Sequence, residues 1–151
     1  MAADQPKGSL LIVDGHSIIH AWDDLLAMHR GPERRKARTE LTSRLQTYQD
    51  STGDQVLVVF DGKGDRASKE REPEGVQVVY SDSSRTADDI IERIVARHGK
   101  EYDIRVATAD GMERTTVSAF GGWPIGPDEL QDLVDRAEKD LSDRIRRLNN
   151  S

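Results

Sequence analysis

The chain has 151 residues, a net charge of −6 with neutral histidines, and no cysteine. That length suits one ordinary domain and leaves little room for two, and the lack of cysteine excludes disulfides, thiolate zinc sites and cysteine nucleophiles. The negative balance argues against a broad nucleic-acid-coating surface but permits a local basic patch, and no apolar run reaches the length of a membrane span or a signal-peptide core, so a cytoplasmic location is expected.

Residues 1–8 read as a short flexible tail ahead of a single domain over 9–151. Leu10, Leu11, Ile12 and Val13 form an unbroken apolar run, the pattern of a strand covered on both faces in the middle of a parallel sheet. The run ends on Asp14-Gly15, which puts a carboxylate at the strand's carboxyl end, where open α/β sheets place their ligands. Ser17 is positioned to cap a helix carrying Ile18, Ile19, Trp22, Leu25, Leu26 and Met28 at helical spacing, closed by Gly31-Pro32. A second helix is predicted from about residue 33 to 50, with Leu41, Leu45 and Tyr48 on one face.

Strand two covers 55–60 and repeats the ending, Asp61-Gly62. Residues 62–75 have no apolar periodicity and read as a long mobile loop, of a kind that often carries function beside a strand end. A third strand is expected at 76–80 and a capped amphipathic helix from Thr86 to about Gly99. Strand four, about 103–108, leads to Asp110-Gly111 and a short helix over 112–120. Trp123-Pro124-Ile125 suggests a short edge strand, and the last helix follows Gly126-Pro127 with Leu130, Leu133, Val134, Ala137, Leu141, Ile145 and Leu148 as its apolar set. This alternation predicts an α/β three-layer sandwich around a mostly parallel sheet of four to five strands.

Asp14, Asp61 and Asp110 all close strands, and Asp88 and Asp89 open a helix after another. If those strands are neighbours, the carboxylates meet. Two like charges about 4 Å apart repel by roughly 4 kcal/mol at an effective dielectric near 20, so such a group must take up protons, find cations or hold a metal. Oxygen ligands without cysteine suit Mg²⁺ or Mn²⁺, and such ions activate water against phosphodiesters or clamp their oxygens. Structural roles compete with this reading. Thr86-x-x-Asp89 is a capping-box pattern, Asp110-x-x-Glu113 resembles another cap, and Asp14 and Asp61 before glycine fit turns.

Among the four histidines, only His16 and His20 have a ligand-like spacing, and a solvated or packed pair is the ordinary reading. No nucleophile elbow, P-loop or dinucleotide fingerprint occurs. Basic residues gather in two places: Arg34, Arg35, Lys36 and Arg38 at the start of the second helix, and Lys63, Arg66, Lys69 and Arg71 in the long loop, with Arg85 ahead of the Thr86 turn. Arg34, Arg35, Arg38, Lys63, Arg66, Lys69 and Arg85 are candidate RNA-phosphate contacts. Interleaved glutamates equally permit a solvated face.

In order, Val13-Asp14-Gly15-His16-Ser17-Ile18-Ile19, Val59-Phe60-Asp61, Thr86-Ala87-Asp88-Asp89-Ile90-Ile91-Glu92 and Ala107-Thr108-Ala109-Asp110 resemble the successive motifs of the YacP-like NYN-domain family, a branch of the PIN-like nucleases. The resemblance spans about residues 9–148 and implies a PIN-like α/β sandwich, Mg²⁺ or Mn²⁺ at the acidic pocket, and endoribonuclease activity on single-stranded RNA or mRNA, with the ribosome as a partner. It implies Asp14, Asp61, Asp88 and Asp110 as catalytic metal ligands, with Asp89 a further ligand and Ser17 and Thr86 in support. The family's Asp-Gly-Tyr-Asn reads Asp14-Gly15-His16-Ser17 here, and serine reaches less far than asparagine. The alternative is therefore a non-catalytic RNA- or ribosome-binding module that keeps the nuclease fold.

Overall fold

Leu11, Ile12 and Val13 are all buried, yet they belong to two separate cores. Side chains alternate along a strand, so an unbroken apolar run means that both faces of the sheet are covered. The computed structural model describes residues 8–62, 68–70 and 75–150. Its strands are β1 (Ser9–Asp14), β2 (Gln55–Phe60), β3 (Ser68–Glu70), β4 (Gln77–Tyr80), β5 (Asp103–Ala107) and β6 (Trp123–Ile125). Its helices are α1 (Gly15–Ala21), α2 (Asp23–Arg30), α3 (Arg34–Thr52), α4 (Ala87–His98), α5 (Gly111–Ala119) and α6 (Pro127–Asn149).

The sheet order is β3-β4-β2-β1-β5-β6, parallel throughout except for β3, which runs antiparallel to β4. The expected α/β sandwich is present, with five parallel strands and one antiparallel edge strand beyond them. Leu11, Val13, Val56, Val58 and Phe60 face α1, α2, α3 and α6 through Ile18, Leu25, Leu41, Leu45, Leu130 and Val134. Ile12, Leu57, Val59, Ile104 and Val106 face α4 and α5 through Ile91, Val95 and Val117. From β1 the chain adds β2 and β4 on one side, then crosses to β5 on the other. This change of direction beside β1 is a topological switch point, where strand ends open into a crevice.

Four sequence expectations are corrected. The single helix expected from Ser17 to Gly31 is two helices, because Trp22 is extended (φ −98°, ψ 116°). The Trp22 indole is buried and donates to the Pro127 carbonyl at 3.2 Å, and Asp23 and Asp24 then open α2, where acids favour a helix N-terminus. The cap of α1 is Asp14, not Ser17: Asp14 Oδ1 accepts from the Ser17 amide at 3.4 Å. The expected long loop contains β3, whose Ser68 pairs with Tyr80. Finally, Ile145 and Leu148 are exposed, not core. Residues 1–7, which carry most of the expected tail, and 63–67 and 71–74 of the expected loop lie outside the described residues. Among the described residues no helix is long and apolar enough to cross a membrane.

Candidate active site

Two of the Asp-Gly pairs are dictated by space. A Cβ on Gly15 would lie 2.3 Å from the buried Phe60 ring, and one on Gly62 would lie 1.9 Å from the Ser81 carbonyl oxygen. Glycine lets α1 leave directly from the end of β1, so Asp14 stays at the sheet edge. No such crowding surrounds Gly111.

Asp14, Asp61, Asp88 and Asp110 line one cleft of about 630 Å³, together with His16, Ser17, His20, Thr86, Ala87 and Ala109. The floor is polar and buried. Asp14 is 6% exposed, Thr108 0% and Glu113 2%. The Thr108 hydroxyl lies 3.0 Å from Glu113 Oε2, 3.3 Å from Asp14 Oδ2 and 3.3 Å from Ser17 Oγ. Its single proton serves one of them at a time. One oxygen each of Asp14, Asp88 and Glu113 fall within 4.8 Å of one another, close enough for one cation.

The electrostatics follow from this crowding. Burial first, then the hydrogen bond and charge of Asp14, then Asp88, push the Glu113 carboxyl up to about 10. Burial also raises the Asp88 carboxyl; a hydrogen bond with Glu113 opposes the rise, and the charges of Asp14, Asp110 and Asp61 add to it. Glu113 Oε1 is buried and meets no hydrogen-bond donor among the described residues. The all-oxygen set of Asp14, Asp88 and Glu113, with one buried Glu113 oxygen left unpartnered among the described residues, fits Mg²⁺ or Mn²⁺.

The other acids are held by backbone groups. Asp61 Oδ1 accepts from Ser81 Oγ at 3.1 Å and from the Ala87 amide at 3.3 Å, which fixes the start of α4 beside the end of β2. Asp110 caps α5, accepting from the amides of Met112 and Glu113 at 2.9 and 3.2 Å. Asp89 stands apart from the cluster. It closes the capping box with Thr86 and faces a neighbouring groove, so the structural reading of that acid describes its position. Ser17 Oγ accepts from the Ala109 amide at 2.7 Å, tying α1 to the β5–α5 corner.

Arg38 lies over the Phe60 and Tyr80 rings at 5.4 and 5.7 Å, and Arg34 and Arg35 are exposed at the start of α3. Arg85 lines the groove on the α4 side with Arg93 and Arg97, outside the acidic cleft. Lys63 and Arg66 lie outside the described residues, and Lys69 belongs to β3, not to a loop.

Sequence reasoning missed Glu113 as a site residue, having assigned it to a helix cap. Its position one turn into the helix after a strand-end Asp was the available signal. The sequence also gave no hint that His29 joins His16 and His20. A groove of equal volume, about 630 Å³, runs along β6, but its Asp103, Glu129 and Asp132 are interspersed with Arg105 and Arg136 and form no converging ligand set.

The model of the YacP-like NYN domain matches residues 11–151. YacP of Bacillus subtilis (strain 168) is 31% identical over 143 residues, covering 92% of this chain and 82% of that protein. Two crystal structures of Rae1 (YacP) from Bacillus subtilis superpose with TM-scores of 0.80 and 0.79, at 28% and 30% identity; the first, a point mutant, aligns over 95% of this chain and 84% of that one, the second over 94% and 82%. The chain belongs to the YacP-like NYN domain family, a branch of the PIN-like nucleases, and so to a nuclease-type, RNA-related function.

Proposed function

We propose that this protein is a divalent-metal-dependent endoribonuclease of the cytoplasm that cuts single-stranded RNA, with mRNA on the ribosome as the substrate suggested by the family resemblance. In this reading residues 9–151 act as one domain. The observation that carries it is the convergence of Asp14, Asp88 and Glu113, from three separate segments, within 4.8 Å at the carboxyl edge of a parallel sheet. These three would hold Mg²⁺ or Mn²⁺, with Asp61 and Asp110 lining the same cleft. When bound, such an ion supplies polarisation of a phosphodiester oxygen and lowers the pKa of a water molecule. Asp14 is held ready for this by its bond to the Ser17 amide, and Asp61 and Asp110 by the backbone amides that they cap. Arg38, Arg34, Arg35 and Arg85 would offer cationic groups for RNA phosphates. Lys63, Arg66 and Lys69, which follow Asp61 in the sequence, complete the proposed set of RNA-phosphate contacts.

Labelled single-stranded RNA incubated with Mn²⁺ or Mg²⁺ tests the proposal. Wild type should give discrete products, while Asp14→Asn, Asp88→Asn and Glu113→Gln should lose on the order of 100-fold or more in rate, as removal of a transition-state charge stabiliser typically does. Equal cleavage by all four proteins would trace the activity to a contaminant. RNA binding that survives the substitutions, with no product in either metal, would establish the non-catalytic module instead.

A further inference from the structure

We propose that the corner between α1 and α2 is a second metal site of different chemistry, in which the imidazoles of His16, His20 and His29 take a transition-metal ion of the Zn²⁺, Co²⁺ or Ni²⁺ class. One ring nitrogen of each histidine lies within 4.8 Å of those of the other two. The ring centroids are 5.1, 5.4 and 5.1 Å apart for the pairs His16–His20, His16–His29 and His20–His29. Nitrogens bound to one tetrahedral zinc stand about 3.3 Å apart, from Zn–N bonds of about 2.0–2.1 Å. An ion held by all three would draw the nitrogens from within 4.8 Å to that spacing.

The backbone brings these rings together by a specific device. On one continuous helix His29 would sit about 20 Å along the axis from His16 and on nearly the opposite face. The extended Trp22 breaks the helix and folds α2 back against α1. Trp22 is pinned by its bond to the Pro127 carbonyl and by the Arg44 guanidinium, 5.8 Å from its ring, while Arg44 also pairs with Asp24 of α2. His29 is buried and its carbonyl accepts from Arg34 Nε at 3.3 Å, so the far side of the corner is also fixed.

Three further points favour an ion here. Imidazole ligands select zinc, cobalt, nickel and copper over magnesium and manganese. Three protein ligands leave a position open, as in exchangeable zinc sites. His16 and His20 line the same cleft as Asp14, Asp61, Asp88 and Asp110, whose negative field attracts a cation to that wall. The site rests on its own residues and stands or falls separately from the nuclease reading.

Titration of tag-free protein with Co²⁺, followed by visible absorption, tests it, with thermal shift in Zn²⁺ and Mg²⁺ alongside. Wild type should bind one equivalent of Co²⁺ at this corner, with tetrahedral or five-coordinate bands that Zn²⁺ displaces, and Zn²⁺ should raise the Tm through it. His20→Ala, at an exposed position, should weaken Co²⁺ binding by more than the roughly 10–100-fold that an outer-shell partner is worth. Asp88→Asn should leave the Co²⁺ spectrum intact. Mg²⁺ should not compete. The proposal is overturned if wild type shows no Co²⁺ binding tighter than about 100 µM, if His20→Ala binds as wild type does, or if Asp88→Asn rather than His20→Ala removes the signal. Mutual packing of the three rings with no ion predicts the first of these.

Discussion

Replacing Glu113 by Gln in metal-free protein isolates the charge balance of the acidic floor. The Glu113 carboxyl ordinarily ionises near 4.5, but burial first, then Asp14, then Asp88, raise it to about 10 in the fold. Between those values the folded protein carries a proton there that the unfolded chain has released. The stability associated with that proton is fully present below about pH 4.5 and is lost progressively as pH rises toward about 10. One proton corresponds to about 1.4 kcal/mol per pH unit, so from about pH 6.5 to about pH 8.5 the loss is roughly 3 kcal/mol. Glutamine cannot ionise and lacks this slope. The assay is urea unfolding in EDTA, followed by circular dichroism at about pH 6.5, 7.5 and 8.5. The variant should gain on wild type by roughly 3 kcal/mol across that range. Parallel stability curves for the two proteins would refute the reasoning, because they would mean that Glu113 is already ionised in the fold. Saturating Mn²⁺ should reduce or reverse the wild-type slope, since an ion at this floor displaces the proton.

Three further substitutions probe how the cleft is held. Gly15→Ala drives a methyl into the buried Phe60 ring and should cost about 1–3 kcal/mol, read as a lower urea midpoint with an unchanged m-value. Ser17→Ala removes the acceptor of the exposed Ala109 amide and should cost about 0.5–1.5 kcal/mol in the same assay; an unchanged midpoint would show that water replaces the bond without loss. Trp22→Phe deletes the indole donor to the Pro127 carbonyl. It should lower stability by about 1–3 kcal/mol, and faster amide exchange in α1 and α2 than in α4 would locate the effect.

The parallel sheet was legible because Leu11–Val13 and Val56–Phe60 lack alternation, and the two cores now show the cause. The Asp14, Asp61, Asp88 and Asp110 cleft was legible because each acid directly follows a strand or begins the helix after one. What the sequence concealed depends on partners distant in the chain. Apolar spacing runs straight through Trp22, while its break depends on a carbonyl 105 residues away. Ser68-Lys69-Glu70 has no strand-like pattern, and β3 arises from backbone pairing with β4. Glu113 has the spacing of a capping residue, but Asp110 caps alone and Glu113 turns inward toward Thr108. The α6 periodicity continues past its support. A helix of 23 residues is about 35 Å long, whereas strands of six residues span about 20 Å, so Ile145 and Leu148 overhang the sheet.

The way Asp14, Asp61 and Asp110 each accept a hydrogen bond from a neighbouring backbone amide separates two questions that a sequence motif merges. A descendant that had abandoned chemistry would still benefit from keeping these three aspartates, since without them helix starts and strand junctions would lose their anchors. Glu113 is different, because at neutral pH an acid so deeply enclosed makes the metal-free fold less stable. Under the proposed function, the residue at this position among relatives with identical aspartates is therefore the more telling marker of a working centre.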